Sequence, residues 1–165
     1  MTRINQYLSI ITLNVNGLNS PIKRNRLGEW IKKENATIRC IQETRLTQKE
    51  THRLKVKGWK TVLHATETQK KAGVAILLAD KVDFKPKVIK RDKDGYYILV
   101  KGIIQEEEMT ILNIYAPNMN APNYTKQILM DMKNQINTNT IVVGDLNTPL
   151  SQTDRSSRQK LTRKF

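Results

Sequence analysis

Short apolar runs separated by polar segments dominate this chain and predict a fold rich in β-strands. The first run, Leu8 to Leu13, is rich in β-branched residues and stops at a turn signal, Asn14 to Gly17. A second run, Ile38 to Ile41, is typical of a short buried strand. A third, Thr140 to Val143, leads directly into Gly144-Asp145-Leu146-Asn147.

Two segments have the spacing of amphipathic helices. Apolar residues recur every three or four positions after a serine-proline pair, which predicts a helix from Pro21 to about Lys33. A second helix is expected to begin near Ala121-Pro122 and to carry apolar residues as far as Ile136. Thr47 and Glu50 have capping-box spacing, which predicts a short helix after Thr47.

The middle of the chain carries five further β-rich runs. They are Trp59 to Ala65, Gly73 to Ala79, Phe84 to Ile89, Tyr96 to Val100 and Met109 to Tyr115. Turn signals at Lys70 to Gly73 and at Lys93 to Gly95 predict hairpins in a largely antiparallel meander. We therefore expect a single α/β (α+β) domain over residues 1–165, with helices packed on a sheet.

Charge narrows the choice of partner. The 165 residues include 29 Lys and Arg against 15 Asp and Glu, a net charge of +14. This excess favours a nucleic acid as the partner, and an anionic membrane surface second. The alternative is a basic, solvated surface that binds no polyanion. No apolar run approaches the length of a membrane span, no secretion signal is evident, and one cysteine fits a reducing compartment. We expect a nuclear or cytoplasmic protein, neither secreted nor in a membrane.

Polar side chains stand where the predicted strands end. Asn14, Glu43, Tyr115, Asp145 and Asn147 each follow or close an apolar run. Residues at strand ends converge on one rim of a sheet, where sites usually form. Two carboxylates and two carboxamides give an all-oxygen set that suits Mg²⁺, although Asp and Asn at these places are also ordinary turn residues. Beside a basic surface, such a set suggests metal-assisted phosphodiester cleavage.

Four motifs in order resemble the endonuclease/exonuclease/phosphatase family. They are Leu13 to Leu18, Cys40 to Thr44, Asn113 to Asn118 and Gly144 to Leu150. Within that family they are most similar to the apurinic-site-like endonuclease domain of long interspersed element retrotransposon polyproteins. Segments such as Lys70 to Leu77 and Asp154 to Ser156 extend the resemblance over nearly the whole chain.

The resemblance implies a four-layer αββα sandwich that hydrolyses DNA phosphodiesters with Mg²⁺, or with Mn²⁺ in its place. It implies that Asn14, Glu43, Asp145 and Asn147 lie at the metal, with Glu43 the main ligand. Asp145 would orient or deprotonate the attacking water, Asn147 would hydrogen-bond the scissile phosphate, and Tyr115 would support the site.

We also expect Lys70, Lys71 and Arg155 to contact nucleic acid. The family's Ser-Asp-His motif is not found in these residues, so we expect a C-terminally truncated sandwich with impaired catalysis. Thr140 to Val143 would then begin a second sheet without partner strands, and an uncovered apolar face would promote self-association. The alternatives are a non-catalytic, basic nucleic-acid-binding remnant and a translated retrotransposon pseudogene fragment.

Overall fold

The computed structural model describes residues 8–59, 61–117 and 120–147, and this part of the chain forms two sheets and two α-helices. No helix within these ranges has the length and apolarity needed to cross a bilayer. In chain order the elements are β1 (Ile10–Asn14), α1 (Pro21–Lys33), β2 (Ile38–Gln42), a 3₁₀ segment (Gln48–Arg53), β3 (Thr61–Ala65), β4 (Val74–Leu78), β5 (Phe84–Arg91), β6 (Tyr97–Ile104), β7 (Glu107–Tyr115), α2 (Ala121–Asp131) and β8 (Thr140–Asp145).

Each sheet combines hairpin strands with one parallel pair. The first sheet has the order β1-β2-β4-β3 and the second β5-β6-β7-β8. Strands β1 and β2 are parallel, with Asn14 opposite Gln42, and β7 and β8 are parallel, with Tyr115 opposite Asp145. A parallel neighbour needs a crossover, and α1 and α2 supply the two crossovers. The carboxyl ends of each parallel pair consequently lie at the same edge of their sheet.

The packing confirms four layers in the order helix, sheet, sheet, helix. Leu27 and Ile31 of α1 cover the outer face of the first sheet, and Ile128 of α2, with Met132 at its C-cap, covers the outer face of the second. The two sheets bury their inner faces against each other. The buried residues between them include Ile38, Cys40, Val74, Ile76 and Leu78 from the first sheet and Ile98, Val100, Ile104 and Ile111 from the second.

Two expectations were wrong: that the middle strands form one meander, and that Thr140 to Val143 has no partner strands. Strands β3 and β4 belong to the first sheet, whereas β5, β6 and β7 form the second, and Thr140 to Val143 pairs with β7. Hairpin signals predict which strands are neighbours, but they do not show where the chain passes from one sheet to the next. The inner face of the first sheet is covered, so the expected cause of self-association is removed; self-association itself stays a prediction.

Two helical segments differ in detail from their sequence pattern. The capping box of Thr47 and Glu50 is present, and the short helix after it is 3₁₀. Helix α2 ends at Asp131, and the segment that follows turns back so that the Ile136 amide donates to the Met132 carbonyl at 3.1 Å. Ile136 therefore reaches the core from a turn beyond the helix.

A buried arginine fastens the end of α1 to the first sheet. The Arg39 guanidinium lies 4.6 Å from the Trp30 ring centre and 5.4 Å from that of Trp59, and the side chain is fully buried. Its Nη2 donates to the carbonyls of Ile31 (2.9 Å) and Glu34 (2.6 Å), which belong to the last turn of α1 and its cap. Burial lowers the pKa of Arg39, and the nearby Glu34 charge opposes that shift.

Candidate active site

The predicted site residues converge where the two sheets meet. Asn14 ends β1, Glu43 follows β2, Tyr115 ends β7 and Asp145 ends β8. Residues from opposite ends of the sequence are thereby brought within hydrogen-bond distance. The strand-end prediction is confirmed for this geometry, because the parallel pairs bring their carboxyl ends to one rim.

Asn14 bridges the two carboxylates. Its Nδ2 donates to Glu43 Oε2 at 3.0 Å and to Asp145 Oδ2 at 2.8 Å. Its Oδ1 accepts the backbone N–H of Asn16 at 2.9 Å, which fixes the orientation of the amide. Two carboxylates thus converge on one donor, and Asn14 joins them through its nitrogen. Its predicted role as an oxygen ligand to a metal remains a prediction.

Glu43 is held in an unusual backbone conformation. Its φ is +58° and that of Arg45 is +53°, in the left-handed region that costs a non-glycine residue on the order of 1 kcal/mol. Backbone bonds hold the segment in place: Thr44 N donates to Gly73 O at 3.0 Å and Arg45 N to Ala72 O at 2.8 Å. The β3–β4 hairpin therefore fixes the direction in which the buried Glu43 carboxylate points.

Tyr115 acts on Glu43 from the second sheet. Burial raises the pKa of Tyr115, and the Glu43 charge and a hydrogen bond to Glu43 raise it further. The phenol thus stays protonated beside the carboxylate. The Tyr96 ring stacks on that of Tyr115, with ring centres 6.0 Å apart, and so restricts its rotation.

A glycine allows Asp145 and Asn147 to reach the site. A Cβ on Gly144, whose φ is +137°, would lie 1.9 Å from the Ile114 carbonyl oxygen, so only glycine fits against β7 there. Asn147 has a φ of +47°, its N–H donates to Asp145 Oδ1 at 3.2 Å, and its side-chain amide donates to the Ala116 carbonyl. The structure thus places Asn147 directly beside Asp145.

The residues predicted to contact nucleic acid differ in whether their side chains already have an acidic partner in the protein. Lys70 Nζ lies 2.8 Å from Glu50 Oε1, and this bond, with the Thr47 backbone bond, lowers the pKa of Glu50 to about 2. Lys71 is exposed, and its N–H donates to the Glu67 carboxylate. Arg155, Asn118 and the motif residues Thr148 to Leu150 lie outside the described residues.

Sequence reasoning missed two residues at this rim. Arg45 forms an ion pair with Glu43, and its Nε donates to Glu43 Oε1 at 3.1 Å. Asn113, which opens the third motif, lies in β7 and is fully buried between the sheets, where its side-chain amide bonds β2 and β4 of the first sheet. Asn113 could have been suspected as a polar residue inside an apolar run, whereas a positive φ at Arg45 has no sequence signature.

The donor set fits a hard divalent cation bound with several waters. Among the described residues no three His, Cys, Asp or Glu side chains gather into a metal-binding group. The site instead offers two carboxylates whose oxygens Glu43 Oε2 and Asp145 Oδ2 face the same Asn14 nitrogen. Mg²⁺ is commonly held in this way, by one or two carboxylates with water completing its shell.

Comparison with known proteins agrees with this fold. The model of the Endonuclease/Exonuclease/phosphatase family matches residues 11–164. An AP endonuclease from Leishmania major is 16% identical over 90% of this chain and 58% of its own, with a TM-score of 0.68. An AP endonuclease from Archaeoglobus fulgidus is 20% identical over 92% and 62%, also at a TM-score of 0.68.

A third solved structure was determined with nucleic acid. It is the 3′ phosphatase NExo from Neisseria bound to a product DNA hairpin, 19% identical over 88% of this chain and 60% of its own, with a TM-score of 0.65. At these identities the likeness concerns the fold, and the chain spans about three fifths of the length of the structures that it matches. The family match and the αββα layers together show that this chain belongs to the endonuclease/exonuclease/phosphatase family.

Proposed function

We propose that this chain carries the metal-binding part of a Mg²⁺-dependent DNA phosphodiesterase, with Mn²⁺ able to replace Mg²⁺. The observation that carries the proposal is the Asn14 amide between the carboxylates of Glu43 and Asp145, at 3.0 and 2.8 Å. Two converging carboxylates on a chain of net charge +14 suit a cation and a polyanionic substrate. The structural relatives, two AP endonucleases and a DNA-bound 3′ phosphatase, support the same class of chemistry.

Each residue at the rim has a role in the proposed reaction. A bound Mg²⁺ supplies positive charge for the phosphoryl oxygens and the leaving oxygen. Glu43 and Asp145 would hold it, and Asp145 would also orient the attacking water or accept its proton. Tyr115, whose pKa is raised by burial and by the Glu43 charge, would donate to Glu43 and help to keep the carboxylate in place. Asn147, beside Asp145, would turn its side-chain amide from the Ala116 carbonyl to the scissile phosphate.

Within the family we assign the chain to the branch of retrotransposon endonucleases, on the four ordered motifs given above. No Ser-Asp-His motif occurs in these 165 residues, so the residues on their own should cleave slowly. Groups that act as a unit fail together, and one missing member costs on the order of a thousandfold or more. We propose a nuclear or cytoplasmic location, where nucleic acid is available.

The test is metal binding followed by nicking of supercoiled and abasic DNA. Mg²⁺ should bind weakly to the wild-type chain, and Glu43→Gln should abolish that binding in calorimetry. Any nicking should disappear in Asp145→Ala. Glu108→Gln is the matched control, because that exposed carboxylate lies at the opposite end of β7. Unchanged Mg²⁺ binding in Glu43→Gln would refute the site.

The second candidate is a nucleic-acid-binding module without catalysis, favoured by the charge of +14. If about five phosphates of a duplex are contacted, log K should fall with log salt at a slope of about −4 to −5. Binding with that slope and no nicking by the wild-type chain at any Mg²⁺ concentration would favour this function. Affinity that does not depend on salt would exclude both candidates.

A further inference from the structure

The guanidinium of Arg45 is built into the carboxylate cluster, and we propose that it sets how Glu43 binds a divalent cation. Its Nε donates to Glu43 Oε1 at 3.1 Å, and its Nη2 contacts the same oxygen. The other oxygen, Oε2, faces Asn14 and Asp145. In this proposal Arg45 hydrogen-bonds Oε1 of Glu43, and Oε2 is the oxygen that binds the metal. The inference rests on the proposed function.

Arg45 is held in place from several sides. Its Nη2 also donates to Asn16 Oδ1 at 3.1 Å, its backbone N–H donates to Ala72 O, and its carbonyl accepts from Asn19 Nδ2 at 2.9 Å. A Cβ on Gly17 would lie 3.2 Å from Arg45 Cδ, so the absence of a side chain there leaves room for the arginine. The left-handed backbone at Arg45 brings the side chain back over Glu43.

Two consequences follow for a metal at this site. A planar guanidinium bound to one oxygen fixes the plane of the carboxylate and disfavours bidentate binding of a cation. The fixed positive charge also repels a divalent ion a few ångströms away, which weakens binding on the order of tenfold even in a high dielectric. Arg45 is thus a positioning residue that keeps the metal weakly held and exchangeable, and Glu43 is the residue through which it acts.

The test is Mn²⁺ affinity, measured by calorimetry and by the electron paramagnetic resonance signal of free Mn²⁺. Arg45→Gln should bind Mn²⁺ on the order of tenfold more tightly than the wild type. Arg45→Lys keeps the charge and should stay within about threefold of the wild type. Arg53→Gln is the matched control: Arg53 also pairs with a glutamate and its side chain is 44% exposed, against 43% for Arg45. That variant should leave the Mn²⁺ affinity unchanged.

Other results would overturn the inference. Unchanged or weaker Mn²⁺ binding by folded Arg45→Gln would show that the arginine does not oppose the metal. Equal tightening in Arg45→Lys would show that charge is not the cause. If Arg45→Gln does not fold, Arg45→Met takes its place, and failure of both to fold would make Arg45 a purely structural residue. A wild-type chain that binds no Mn²⁺ would overturn the proposed function as well, whereas the first two results would leave it intact.

Discussion

Replacing Asn113 with leucine should strongly destabilise the fold, because Asn113 joins the two sheets. Its Nδ2 donates to the carbonyls of Ile41 (3.1 Å) and Ala75 (3.0 Å) in the first sheet, and its Oδ1 accepts from Gln42 Nε2 at 2.8 Å. The Ile41 and Ala75 carbonyls also belong to the β2–β4 ladder, where these two residues are paired, and Gln42 keeps Thr12 as a partner at 2.8 Å. The substitution therefore removes three hydrogen bonds between the sheets without leaving these groups unpartnered. A hydrogen bond contributes about 0.5–1.5 kcal/mol net, which gives about 3 kcal/mol in total.

A loss of this size is a large part of the stability of an ordinary domain, about 5–15 kcal/mol. It should lower the thermal midpoint by about 6–12 °C, measured by circular dichroism, and lower the urea midpoint in parallel. Thr110→Val is the control in the same strand, because the Thr110 hydroxyl is buried without a partner and its loss should be neutral or stabilising. A midpoint for Asn113→Leu within about 2 °C of the wild type would refute the reasoning.

Three further predictions concern pH, backbone and charge. Burial lowers the pKa of His64 to about 4, and the nearby Arg91 charge adds to this shift. In the unfolded chain the histidine has its ordinary pKa of 6.5, so protonation below that pH favours the unfolded chain. Stability should fall by about 2 kcal/mol from pH 7 to pH 5, and His64→Leu should remove that loss in urea titrations; an unchanged loss would contradict the assignment. Gly144→Ala should cost at least about 3 kcal/mol and impair Mn²⁺ binding at Asp145, and a stable variant that still binds metal would count against the packing described here. Lys71→Ala should reduce the salt slope of duplex binding by about one and Lys70→Ala by less, because Lys70 is paired with Glu50; equal effects would show that the pairing does not matter.

The sequence predicted which side chains lie close together better than it predicted the sheets. Asn14, Glu43 and Asp145 stand at strand ends, and strand ends of parallel pairs meet whatever the exact strand order. The assignment of strands to sheets depends on which faces pack together. Ile76 and Ile98 look alike in the sequence, yet they come from different sheets and are buried in the same core between them. Apolar alternation shows that a face is buried and does not show against what.

The contacts of Arg45 and Arg39 could not be predicted from the sequence, and the reason is a different one. Each basic residue resembles the many others in a chain with 29 Lys and Arg. Their positions depend on tertiary contacts: Arg45 on a left-handed backbone held by the β3–β4 hairpin, and Arg39 on two indole rings far apart in the sequence. Residue type alone predicts a solvated cation at both positions.

The enclosure of Arg39 by Trp30 and Trp59 gives the two halves of the sandwich separate optical signals. Both tryptophans of the chain are packed in the layer of α1 and the first sheet, whereas Tyr96, Tyr115 and Tyr124 form one ring cluster in the layer of the second sheet and α2. Indole fluorescence therefore follows the loss of the first layer, and tyrosine near-ultraviolet ellipticity follows the loss of the second. Coincident transitions would show that the two halves unfold as one cooperative unit, and displaced transitions would give the stability of each half without any added label.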